Sequence, residues 1–139
     1  MPVLTRWFVK ASLVYFIAAL LAGFLLAANL VWPLPPITGA LGPVYFHLFL
    51  VGWITQLIFG VVFWMFPKYT LEEPRGNETL AWATFWLLNA GLVLRAVAEP
   101  QITIDAGVFW GWLLAISAVL QWLAGLFFVF NTWGRVKER

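Results

Sequence analysis

Two side chains combine useful chemistry with an unusual setting. His47, the only histidine, lies in the stretch VYFHLFLVGW (Val44–Trp53), inside a run that is otherwise almost wholly apolar. Neutral imidazole is the commonest metal ligand, and polar residues in apolar spans are rare and functional by default. His47 therefore reads either as a ligand to haem iron or another metal, or as an uncharged imidazole bonded to a neighbouring helix. Arg95 is the second candidate. Glu99 follows it at i+4, the spacing of a helical ion pair, and the long side chain can snorkel towards a surface. The other reading is that Arg95 binds an anion held at its depth, for example a haem propionate.

The elements that must position these residues follow from composition. Of 139 residues, 63% are hydrophobic and 10% charged, against roughly 25% charged in a soluble domain. Four apolar runs, at about Lys10–Val31, Val44–Phe66, Thr79–Ala98 and Ala106–Phe130, are long enough to cross a bilayer. They use most of the chain, so the expectation is an all-α, polytopic membrane protein: one domain, a four-helix transmembrane bundle. The first run is longer than a signal-peptide core and lacks a small-residue cleavage site, so it reads as a retained helix. With no cysteine, disulfides and thiolate ligands drop out. The net charge of +2 does not point to nucleic acid.

The connections differ in character. WPLPPITGALGP (Trp32–Pro43) is uncharged and full of helix breakers, PKYTLEEPRGNE (Pro67–Glu78) is highly charged, and EPQITID (Glu99–Asp105) is acidic. Arg6, Lys10, Lys68, Arg75, Arg135, Lys137 and Arg139 fall on one side of the four spans, leaving Arg95 alone on the other. The positive-inside rule then predicts cytoplasmic termini, with His47 within one or two turns of the outer face. Trp7, Trp32, Trp82 and Trp133 fall near predicted helix ends, as an interfacial belt does.

Small residues predict packing seams: Ala19, Gly23 and Ala27 in the first helix, Gly107, Gly111 and Ala115 in the fourth. In the second, Gly52, Gln56 and Gly60 form a stripe, and at α-helical winding Gln56 lies almost directly opposite His47. Gln56, Asn89, Gln121 and Asn131 read as interhelical hydrogen-bonding residues. No acidic residue or lysine falls in the middle of a predicted span, which disfavours a proton-coupled transporter. No Ser-His-Asp set, paired carboxylates, P-loop or HExxH motif is present.

The segment HLFLVGWITQLIFGVVFWMFPK (His47–Lys68) resembles the second helix of a four-helix repeat in the catalytic subunit of haem-copper oxygen reductases, particularly cbb3-type oxidases and their nitric oxide reductase relatives. The matching positions are His47, Val51, Gly52, Gly60, Phe63, Trp64, Pro67 and Lys68. The resemblance implies that His47 is a haem b ligand on the outer side of a prokaryotic inner membrane, with Arg95 a candidate propionate partner. One histidine cannot supply two axial ligands or a copper site from within one chain, so a complete oxidase is not expected. A homodimer could clamp one iron between two His47 side chains, and such a site favours electron transfer. A homotrimer could instead bring three together on haem, copper or zinc. The remaining alternative is an accessory or structural subunit of a respiratory membrane complex. The electron donor and acceptor are left open.

Overall fold

The computed structural model describes residues 1–71 and 75–136. Glu72 and Glu73 of the charged connection, and Lys137 and Arg139 of the basic C-terminus, lie outside the described residues. Four helices are long and apolar enough to cross a membrane: α1 (Val3–Ala28), α2 (Gly42–Met65), α3 (Glu78–Ile104) and α4 (Val108–Trp133). A single helical turn, Pro36–Gly39, sits between α1 and α2, and no strand occurs among the described residues.

Local sequence explains most boundaries. Pro33, Pro35 and Pro36 follow α1 closely and prevent its continuation. Phe66 turns extended, with ψ of 151°, as the residue before a proline prefers. At the start of α3, the Asn77 side chain accepts a bond from the Leu80 N–H at 3.0 Å, an N-cap. Two ends differ from expectation. The first helix starts at Val3 and closes at Ala28, several residues before Val31. The third does not stop at Ala98 but continues through Pro100 to Ile104. EPQITID is thus largely the last turns of α3, and Glu99 is a buried helical residue. Pro100 removes one backbone donor, yet an apolar setting rewards every backbone bond that can still form inside the helix.

The helices associate as two hairpins of about equal closeness, α1 with α2 and α3 with α4. Leu4 and Phe8 of α1, Phe63 of α2, and Ala81 and Phe85 of α3 form the cluster at the end holding the N-terminus. Ala19, Val44 and Leu48 pack near the other end, while Leu88, Leu92 and Ala124 join α3 to α4. The rings of Phe59 and Phe128 stack at 3.7 Å between α2 and α4.

Small residues set the approach between α1 and α2. A Cβ on Gly60 would come within 2.7 Å of the Phe8 Cβ, so the absence of a side chain there fixes the α1–α2 distance. The first predicted seam holds in part: Ala19 is fully buried and Gly23 packs against Tyr45, but Ala27 is exposed. The fourth helix differs: Ala115 is exposed, and Ser117 and Ala124 are its buried small residues. Much of α4 faces outwards, including Trp112, Trp122 and Phe130.

The second helix contains an irregularity that sequence pattern did not suggest. Residues Leu48–Thr55 are wound as a π-helix, with i→i+5 bonding. The Thr55 hydroxyl also donates to the Leu50 carbonyl at 2.9 Å. This winding bears directly on where His47 points.

Candidate functional site: the His47–Arg95–Glu99 cluster

His47 is the last residue before the π-segment, five residues into α2. Glu99 lies five residues before the end of α3. Both are thus about 7–8 Å from the same end of the bundle, at 1.5 Å per residue. The side chains meet across the helices. The His47 Nδ1 is 2.9 Å from the Pro43 carbonyl oxygen and 3.1 Å from Glu99 Oε1. Its Nε2 is 3.2 Å from Arg95 Nη1.

These partners define the tautomer. A guanidinium only donates, so the Nε2 facing it must be the acceptor, and Nδ1 must carry the hydrogen. The Nδ1–H is shared between a carbonyl and a carboxylate, both acceptors. Protonating Nε2 would set two donors against each other.

Arg95 is a hub with three side-chain partners. Its Nη1 donates to Glu99 Oε1 at 3.1 Å, one helical turn away, in addition to facing His47. Its Nε donates to the Ser117 hydroxyl of α4 at 3.3 Å. Ser117 donates in turn to the Gly91 carbonyl at 2.7 Å, and Gln121 Nε2 donates to Ser117 Oγ at 3.1 Å. At Gly91 α3 and α4 pack tightly: a Cβ there would sit 3.0 Å from the Ser117 carbonyl oxygen. The cluster thus reaches α2, α3 and α4.

Exposure is uneven across it. The Glu99 side chain is 8% exposed and that of His47 is 31% exposed, so the imidazole forms part of the surface and the carboxylate lies beneath. Glu99 Oε2 is buried and has no hydrogen-bond partner among the described residues. A buried carboxylate oxygen without a donor is costly, and it is the unfilled valence of the cluster.

The sequence placed His47 and Arg95 at the same depth, and the structure brings them into contact. The i,i+4 pair of Arg95 with Glu99 is also formed. The two-sided picture of α2 needs correction. Gln56 does not lie opposite His47: its Nε2 donates to Asn89 Oδ1 of α3 at 3.4 Å, and His47 meets Arg95 and Glu99 of that same helix. Alpha-helical winding over nine residues gives half a turn, but an i→i+5 turn holds more residues and advances less per residue. The eight-residue π-segment absorbs the difference. Gly52 and Gly60, by contrast, face Tyr15 and Phe8 of α1.

Sequence reasoning missed Glu99 as a member of the site, because its neighbour Pro100 suggested a loop. It read Arg135 only as one of the C-terminal charges that report orientation. Arg135 is instead buried and donates to the carbonyls of Phe63, Phe66 and Pro67 at 2.8–3.1 Å, closing the far end of α2.

Among the described residues, no group of three or more His, Cys, Asp or Glu side chains could hold a metal ion. A copper or zinc site would need residues from several chains. The chain matches no family model, and neither a curated protein nor a solved structure was found to be similar to it.

Proposed function

We propose that this chain is a membrane haem b-binding protein that serves electron transfer, with His47 Nε2 as axial ligand at a homodimer interface and Arg95 as partner to a haem propionate. The observation that carries the reading is the anchoring of Nδ1. Histidines that ligate metals characteristically donate their other ring N–H to a carbonyl or carboxylate, and His47 Nδ1 has one of each, at 2.9 and 3.1 Å. That anchoring leaves the lone pair on Nε2, on a ring that is partly exposed on the bundle surface.

The residues present fit such a group. Arg95 holds Nε2 through a single nitrogen, while Glu99 and Ser117 give it two other partners. It can therefore release the imidazole and turn towards an incoming carboxylate without losing all of its own bonds. Glu99 keeps the ring oriented through its contact with Nδ1. Haem, when bound, would supply one-electron transfer between ferric and ferrous iron. Two His47 side chains related by a twofold axis would occupy both faces of the iron and leave no open position for a gas. Under this reading the charged ends face the cytoplasm, His47 lies on the outer side, and the likeness of His47–Lys68 to an oxygen-reductase helix reflects shared haem ligation.

A second reading has its own observation. Both ring nitrogens are satisfied inside one chain, so His47 also reads as a clasp between α2 and α3 in an accessory subunit.

One preparation separates the two. Protein purified from haem-replete cells should show a Soret band, a sharp α-band on reduction and one haem per two chains. His47→Ala should remove the colour while circular dichroism stays helical. A colourless, helical wild-type protein sinks the haem reading, and elemental analysis of it would find copper or zinc if several His47 side chains converge on a metal. Under the clasp reading His47→Ala lowers the melting temperature of a protein that was never coloured.

A further inference from the structure

A groove of about 540 Å³ lies between α1 and α3, in the opposite half of the bundle from His47. Arg6 and Lys10 line it at i,i+4 spacing on one face of α1. Both are exposed, and neither pairs with an acidic side chain among the described residues. Trp7 and Trp86 wall the groove, and both are largely exposed. Asn89 stands at its inner end, with its amide committed to the Phe85 carbonyl and to Gln56. No acidic residue lines it.

The dimensions match one lipid. The α1 side of the groove runs from residue 3 to residue 14, about 16 Å at helical rise, which is close to one leaflet of a roughly 30 Å hydrocarbon core. Two cations at the entrance and an apolar trough behind them complement a phosphate followed by an acyl chain.

We propose that this groove seats one anionic phospholipid, its phosphate on Arg6 and Lys10 and an acyl chain lying along Ala11 towards Asn89. The amphipathic indoles flank the lipid as aromatic rings do at a membrane interface. The inference is independent of any role for His47.

The full chain in micelles containing equal amounts of phosphatidylglycerol and phosphatidylcholine, read by native mass spectrometry, tests it. One phosphatidylglycerol should be retained preferentially per chain. Arg6→Gln with Lys10→Gln should lower that preference about tenfold or more, since each basic residue near a membrane surface contributes to anionic lipid binding. Ala11→Trp keeps both charges but fills the trough, and should abolish retention. If that variant does not fold, Val14→Trp at the exposed far part of the groove replaces it. Equal retention of the two lipids by the wild type overturns the proposal. So does a phosphatidylglycerol preference that survives the filled trough, which would assign it to open surface charge, or a groove covered by a second copy of the chain.

Discussion

The two arginines at opposite ends of α2 do different work. Arg135 is 1% exposed, and its three bonds all go to backbone carbonyls of Phe63, Phe66 and Pro67. Phe63 is in the last turn of α2 and Phe66 and Pro67 follow its end, so Arg135 serves carbonyls that the helix itself leaves without partners. Burial, reinforced by the charge of Arg75, lowers its pKa from the ordinary arginine value. Arg95 has an 18% exposed side chain, and its partners are His47, Glu99 and Ser117, which are side chains with alternatives of their own. One guanidinium terminates a helix. The other sits among groups that can change partner or protonation, and that contrast is why the Arg95 end is the candidate site.

Substitutions at the two ends test the contrast, in falling order of effect. Arg135→Ala removes a buried cation and strands three carbonyls, so it should cost about 3 kcal/mol or more, seen as a large drop in melting temperature in detergent. If that loss is matched by Arg95→Ala, the two ends are equivalent and the distinction fails. Glu99→Gln should cost only about 1 kcal/mol, because the lost charge-assisted bonds are offset by no longer burying the unpartnered Oε2 as a charge. Under the haem reading it should also shift the midpoint potential, through the hydrogen bond to the ligand histidine. A variant with unchanged potential would detach Glu99 from the ligand. Arg95→Lys keeps the charge but loses the Nε bond to Ser117, so it should cost about 0.5–1 kcal/mol. Arg135→Lys, which cannot reproduce a planar fan of donors, should be visibly worse than Arg95→Lys in the same melt.

How far the sequence could be read depended on which physical signal each feature leaves. Helix number came through because apolar runs of membrane length are a strong composition signal, and all four appear as helices long and apolar enough to span. The Arg95–Glu99 pair came through because i,i+4 spacing is local. The end of α3 did not, since Pro100 carries a helix-breaking signal that the surrounding helix overrides. Arg135 was opaque because its three acceptors lie about seventy positions away in sequence. The facing of His47 was misjudged for another reason. Angular bookkeeping assumes constant winding, and nothing in LFLVGWIT announces a π-segment.

That segment has a structural consequence beyond the placement of one side chain. Because it stores surplus residues within a continuous helix, it works as a phase adjuster between the two ends of α2. Gly60 can stay locked against Phe8 while His47 is dialled onto α3. Were these same residues to relax to α-winding, nine steps of about 100° would return His47 to nearly the opposite face from Gln56. The chain would keep its four helices and lose the meeting of His47, Arg95 and Glu99.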